Sequence, residues 1–214
     1  ANLAEIKSNS HNAGGIAGYI NGQVNVDSCY NRGDCTSGSN RAGGITAYLC
    51  NSYANISNCY STGNTKVAYG TDAKSVVGNK SSGNVTNCYY LNTVGTDSNA
   101  TVKTDEELKG LADTLGGSFV TDPAGINDGY PVLTFQIPRY DAVFTVDDEN
   151  ATVEIDGYTG VKNANVWSFR LADGNYNYRV YSFGKVEQQG TVTVNGGNVD
   201  TDIKQQTAKT KPVK

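Results

Sequence analysis

Few side chains in this sequence could act as a nucleophile, a base or a metal ligand. There are five cysteines, Cys29, Cys35, Cys50, Cys59 and Cys88, and one histidine, His11. No two cysteines stand as Cys-x-x-Cys, and a single imidazole is available, so zinc of the finger or ribbon type is disfavoured. Cys29, Cys59 and Cys88 lie 30 and 29 residues apart, each inside the same short motif. Stacked thiols without a His or carboxylate among them read as a buried ladder of small apolar side chains. Parallel Cβ vectors at strand spacing suit a disulfide poorly. Cys35 and Cys50 stand outside the ladder and are a candidate disulfide pair, closing a loop within half a repeat. An odd cysteine count cannot be fully paired within the chain.

The carboxylates form no catalytic set. Asp27 and Asp34 of one repeat become Ser57 and Asn64 in the next, so no face carries the paired acids of a polysaccharide hydrolase. Asp113, Asp122 and Asp128 lack the order of an EF-hand loop. The tyrosines are more regular. Tyr19 and Tyr48 recur together, as do Tyr30, Tyr60 and Tyr89. Such rows could form an aromatic platform on which a sugar stacks. The preferred reading is a ladder that supports the sheet, each pair contributing roughly 0.5–1 kcal/mol. Asn58 and Asn87, with Ser28 in the same phase, read as turn or ladder residues before ligands. Trp167 alternates with Phe169 and Leu171 and reads as core ahead of a sugar-stacking surface. No metal and no cofactor is implied.

These residues sit in a repeat. Val26-Asp27-Ser28-Cys29-Tyr30 matches Ile56-Ser57-Asn58-Cys59-Tyr60 and Val85-Thr86-Asn87-Cys88-Tyr89. Ala13-Gly14-Gly15-Ile16-Ala17-Gly18-Tyr19 matches Ala42-Gly43-Gly44-Ile45-Thr46-Ala47-Tyr48, and Lys74-Ser75-Val76-Val77-Gly78 is a degraded third copy. Two separate blocks recur in one phase, the signature of a repeat architecture. A period near 30 residues, with short β-like pieces and no helical periodicity, predicts one coil of a β-solenoid per repeat. Glycine would occupy the corners, where φ turns positive. Aliphatic residues of successive coils would stack about 4.8 Å apart and share a core that one coil cannot form alone.

Gly14-Gly15-Ile16-Ala17-Gly18-Tyr19 and Gly43-Gly44-Ile45-Thr46-Ala47-Tyr48, alternating with the Asn-Cys-Tyr blocks, resemble GLUG-motif repeats. The resemblance spans roughly residues 10–135. It implies a large secreted or cell-wall protein of Gram-positive gut bacteria, a group that includes adhesins and relatives of IgA-specific metallopeptidases. The motif carries no catalytic residue, so the resemblance assigns none. Val76-Val77-Gly78 departs from the Gly-Gly-Ile pattern, as suits a terminal coil. Asn127-Asp128-Gly129-Tyr130-Pro131-Val132-Leu133 resembles the segment that closes such arrays.

Residues 91–103 read as polar and irregular. Thr104-Asp105-Glu106-Glu107-Leu108 then offers a capping box, Leu108, Leu111, Ala112 and Leu115 a helical stripe, and Gly116-Gly117 a stop. This predicts a helix over 104–115 that covers the open end of the solenoid and its strand edges. From about Tyr140 the period becomes two: Phe144 and Val146, Val153 and Ile155, Trp167 to Leu171, Tyr176 to Val180, Val192 and Val194. Turns about every ten residues predict a small β-sandwich. Ala151–Gly157 and Leu171–Tyr178 resemble PEGA-like or other Ig-like surface modules, which are usually spacers or binders. The expected fold is all-β: a short right-handed parallel β-helix (β-solenoid) over 1–93, a capping helix and closing strand over 94–138, an Ig-like β-sandwich over 139–204, and a linker tail over 205–214.

The balance of 17 basic and 21 acidic residues, net −4, offers no basic stripe for a nucleic acid. No apolar run approaches the roughly 18 residues of a membrane span. The sequence has no Met, position 1 included, and no signal peptide, and reads as an excised segment or processed form. The expectation is a monomeric, extracellular, non-enzymatic segment of a larger cell-surface protein, serving adhesion, display or spacing. Its partner would be a host glycan or an extracellular protein. The alternative is an accessory carbohydrate-binding region of a secreted enzyme.

Overall fold

The computed structural model describes residues 1–208. The chain is all-β, with helix confined to short segments after the repeats. It divides into two compact units, Ala1–Gln136 and Ile137–Lys214.

Unit 1 is built from three repeats laid in parallel. The first contributes β1 (Ile6–Ser8), β2 (Asn12–Gly14), β3 (Ala17–Ile20), β4 (Asn25–Asp27) and β5 (Tyr30–Asn31). The second contributes β6 (Cys35–Ser37), β7 (Arg41–Gly43), β8 (Thr46–Leu49) and β9 (Asn55–Ser61). The third contributes β10 (Thr65–Val67), β11 (Asp72–Lys74), β12 (Val77–Lys80) and β13 (Asn84–Leu91). Each strand pairs with its equivalent one repeat away: Ile6 with Cys35, Cys35 with Thr65, Tyr19 with Tyr48, and Cys59 with Cys88. This register is the sequence repeat made physical. Side chains of one motif position stack, so Ile16, Ile45 and Val76 share a core with Ile20, Leu49, Val26 and Ile56.

The paired glycines serve a purpose other than the expected one. Gly15 and Gly44 do not have positive φ. A Cβ on Gly44 would lie 2.1 Å from the Ser75 carbonyl oxygen, and one on Gly15 would lie 2.2 Å from that of Gly44. Only a residue without a Cβ lets the next repeat approach this closely. Ser75 is tolerated because no fourth repeat follows. The left-handed corner belongs instead to Ser28, Asn58 and Asn87, with φ of 52°, 52° and 49°. Asparagine tolerates that region better than most residues, and here its amide is also used. Asn87 Nδ2 donates to Asn58 Oδ1 (2.7 Å) and Asn58 Nδ2 to Asp27 Oδ1 (2.8 Å).

The stack ends at a carboxylate. Ile16 N and Ala17 N donate to Ile45 O, and Ile45 N and Thr46 N donate to Val76 O. In the last repeat, Val76 N and Val77 N donate to Asp97 Oδ2 at 3.0 and 2.6 Å. Asp97 thus stands where the carbonyl of another repeat would stand. The segment expected to be irregular also supplies β14 (Thr101–Lys103), which pairs with Tyr89–Leu91.

The expected single helix is two short ones, α1 (Asp105–Lys109) and α2 (Ala112–Leu115), broken at Gly110. Both halves of the Thr104–Glu107 capping box are made. The helices do more than meet the end of the stack. Leu108, Leu111 and Leu115 pack with Tyr30, Tyr60, Phe119, Tyr130 and Leu133, so the cap runs along the flank as far back as the first repeat. Covering the tyrosine row buries apolar surface of both the leucines and the rings. β15 (Phe119–Val120) and β16 (Val132–Leu133) close the segment as an antiparallel pair.

Unit 2 has two sheets around one core. β17 (Tyr140–Val146), β18 (Thr152–Ile155), β19 (Val161–Asn163), β20 (Val166–Leu171), β21 (Gly174–Tyr181), β22 (Gln188–Val194) and β23 (Val199–Ile203) follow in chain order. They form sheets β19-β20-β17-β23 and β18-β21-β22. β17 runs parallel to β23 and every other pairing is antiparallel. The alternation of the sequence fills the core from both sheets: Phe144, Phe169, Leu171 and Ile203 from one, Val153, Ile155, Val180 and Val192 from the other. The linker expected from residue 205 begins later. Gln205 is buried, Val186 N donates to Gln206 O, and Ala208 N donates to Gly184 O. Residues 209–214 of that expected linker lie outside the described residues.

Candidate binding surface

The two tyrosine rows have different fates. Tyr30 and Tyr60 stack face to face, with centroids 5.1 Å apart and planes 4° apart. They are 1% and 0% exposed under the leucines of the cap. Tyr60 Oη donates to Pro131 O at 2.5 Å and accepts from Asn127 Nδ2 at 2.8 Å. Burial holds its pKa well above the usual phenol range. Tyr89 is half-buried, with its hydroxyl donated to Asn87 Oδ1. These three were candidates for ligand stacking, and the cap occupies the faces a ligand would need.

Tyr19 and Tyr48, the other candidates, lie on β3 and β8. Tyr19 is 52% exposed. Its ring lies 5.4 Å from that of Tyr48, tilted by 36°. The Arg41 guanidinium sits over the Tyr48 ring at 4.2 Å. Cys50 hydrogen-bonds the Tyr19 hydroxyl and raises its pKa, while the positive charge of Arg41 opposes that rise. Arg41 was not singled out from the sequence. The signal was there: an unrepeated cation at a motif position filled by Asn12 before it and Asp72 after it.

The thiols are structural in geometry. All five are free, so the candidate Cys35–Cys50 disulfide is not formed. Cys35 lies in one sheet and Cys50 just beyond a strand of another. Cys35 opens β6, fully buried, with Sγ near Asn31 Nδ2 and Gly33 O. Cys50 follows β8 and donates to Ile20 O at 3.4 Å. Cys59 donates to Ser57 O at 2.9 Å, Cys29 to Asp27 O and Cys88 to Thr86 O. Interaction with the neighbouring Cys59 thiol lowers the Cys29 pKa to about 7. Burial raises the Cys35 pKa to about 11.

The acids are equally committed. Asp122 accepts from the backbone N–H groups of Ile126, Asn127 and Gly129. Asp128 pairs with Arg32 at 2.7 Å, and the Arg32 guanidinium also lies over the Tyr130 ring. Asp27 accepts from Ser57, Ser28 and Asn58, which holds its pKa below the usual carboxylate range. Asp27 also lines a shallow groove with Asn25, Asn55, Ser57, Asn84 and Thr86. In unit 2, Glu154 and Asp156 share a groove with Arg179 and Asn177. The Tyr181 hydroxyl and Arg179 keep Glu154 ionised, with its pKa lowered, so it does not offer a proton. Trp167 lies at the edge of the unit 2 core, half-buried, with Nε1 donated to Ala151 O at 3.1 Å. His11 is exposed beside Ser10. Among the described residues no cluster of His, Cys, Asp and Glu has metal-binding geometry, and no helix is long and apolar enough to cross a membrane.

No family model matches the chain. No curated protein and no solved structure matches it either.

Proposed function

We propose that the chain is a non-catalytic module of a larger extracellular surface protein, serving adhesion or the display of a neighbouring domain. In this reading unit 1 is a short right-handed parallel β-helix of GLUG-type repeats, and unit 2 is an Ig-like or PEGA-like sandwich. The 29- to 31-residue parallel register supports the first assignment, and the shared core of two sheets supports the second. The observation that carries the functional reading is the division among the repeated side chains. Thiols, amides and the Tyr30–Tyr60 row are spent on packing and hydrogen bonding, while the Tyr19–Tyr48 step with Arg41 remains at the surface. Exposed aromatic rings beside an arginine suit a contact surface for a glycan or protein.

The test is retention of the immobilised chain on arrays of glycans and extracellular proteins. Retention should be lost in Tyr19→Ala and kept in Tyr60→Phe. Equal retention of wild type and Tyr19→Ala would refute the tyrosine step as the contact. Turnover of any arrayed glycan would refute a non-catalytic module.

A further inference from the structure

We infer that Arg41, Tyr48 and Tyr19 form a binding site for a saccharide bearing a carboxylate. The inference deepens the surface-contact reading above and rests on it.

Arg41 is an arginine without an acid. Of the five arginines, Arg32, Arg170 and Arg179 each hold a carboxylate oxygen at 2.7, 3.2 and 2.6 Å, and Arg139 and Arg41 hold none among the described residues. Arg41 has no ion pair and no side-chain hydrogen bond among the described residues, and its Nε is buried without a partner. An acid is near in register: Asp72 is the Cα partner of Arg41 on β11. The Asp72 carboxylate instead accepts from Asn79 Nδ2 at 2.8 Å. Two opposite charges on adjacent strands would ordinarily pair. Here each is turned to another group, and the guanidinium carbon of Arg41 sits over the Tyr48 ring, 4.2 Å from its centroid.

That placement has two consequences. Contact with the ring restrains the guanidinium, which cuts the rotamer freedom that a free arginine would lose on binding. The terminal N–H groups of the fork have no acceptor among the described residues. A planar guanidinium fork matches the two oxygens of a carboxylate. Beside it, Tyr19 offers an exposed ring 5.4 Å from the Tyr48 centroid. The Arg41 charge is felt at the Tyr19 hydroxyl, so ring and cation can serve one ligand. The C–H face of a sugar would lie on Tyr19 and its acid group on Arg41. Further along the same row, Asn79 is the register partner of Tyr48 and Ser81 Oγ donates to Tyr48 Oη. They add polar groups for the hydroxyls of a second residue.

The experiment is calorimetric titration of the full chain with three probes: trigalacturonate, sialyllactose and lactose. The first two carry a carboxylate from different sugar acids, and the third carries none. At least one carboxylated probe should bind about tenfold or more tighter than lactose, the scale of a charged hydrogen-bonded pair. Arg41→Gln should remove that preference, Arg41→Lys should restore part of it, and Tyr19→Ala should weaken every probe. Both tyrosine and arginine variants alter exposed or half-exposed groups, and an unchanged melting temperature will establish that they fold. Equal affinity for all three probes, unaffected by Arg41→Gln, would overturn the carboxylate inference and leave the surface reading in place. Capture of acidic peptides in preference to every sugar would also overturn it. If the chain binds none of the probes and nothing on the wider arrays, both fall together.

Discussion

Replacing Asp97 with alanine removes the group that ends the parallel stack. The carboxylate is 4% exposed. One oxygen accepts from Val76 N and Val77 N at 3.0 and 2.6 Å, and the other from Asn99 N at 2.8 Å. A hydrogen bond to a charged group contributes about 1.5–3 kcal/mol, and a buried N–H left unpaired costs about 1–3 kcal/mol. The two amides of the last repeat together predict a loss of about 3–5 kcal/mol for Asp97→Ala. Asp97→Asn keeps one neutral acceptor and should lose about 1–2 kcal/mol. Against the 5–15 kcal/mol typical of a whole domain, the alanine variant should be severely destabilised. In urea unfolding, tyrosine near-ultraviolet dichroism reads both units, and unit 1, which has no tryptophan, is the part of the transition that Trp167 fluorescence does not follow. Trp167 fluorescence reads unit 2 and serves as the internal control. Amide hydrogen exchange at Val76 and Val77 provides the local readout. Wild-type protection of both amides, with unit 1 unfolding within about 0.5 kcal/mol of wild type, would refute the account of Asp97 as the terminal acceptor.

Gly44→Ala should cost unit 1 about 3 kcal/mol or more, because the new Cβ meets the Ser75 carbonyl at 2.1 Å and Ser61 Oγ at 2.2 Å. The loss would appear as a lowered urea midpoint. Tyr60→Phe removes the bond to Pro131 O and one acceptor of Asn127 Nδ2, which keeps Tyr130 O and Pro131 O. It should lower stability by about 1 kcal/mol without changing ligand retention. Cys29, whose pKa is lowered to about 7 by the neighbouring Cys59 thiol, should be alkylated first by iodoacetamide at neutral pH, with Cys35, Cys59 and Cys88 protected by burial. Mass spectrometry of the digested chain will show the order. The stability linked to Cys29 is present above its ordinary value of 9.0 and is lost as pH falls through about 7. Cys35 has the opposite sign. Its pKa is raised from 9.0 to about 11, so stability is full below pH 9 and is lost as pH rises to 11. A urea midpoint series over that range should fall less steeply in Cys35→Ala than in wild type.

Much of the strand pattern could be read from spacing alone. A 30-residue recurrence of Cys and Tyr leaves little freedom of register, because a slip by one residue would send every side chain to the wrong face. Hence Cys29, Cys59 and Cys88 do stack, and Trp167 to Leu171 does alternate towards a core. The capping box at Thr104 was equally legible, since it depends only on residues three apart. The glycine blocks were recognised but misread. Their sequence is the same whether glycine serves a positive φ or a close approach, and only the Cβ distances across repeats distinguish the two.

The candidate site was half visible. Repetition picked out Tyr19 and Tyr48 together with Tyr30 and Tyr60, and within the motif nothing separates an exposed ring from a covered one. The difference lies in the cap, 48 to 85 residues further along the chain, whose leucines lie over one row and leave the other open. Arg41 and Asp97 act at single positions and break the repeat, so periodicity could not reveal them. The sequence by itself determined the all-β class, the pairing register and the inward and outward alternation, because these are local and periodic. The tertiary structure decided which tyrosines reach solvent, where Arg41 points and what ends the stack. Those outcomes depend on contacts between segments far apart in the chain, and no spacing rule carries that information.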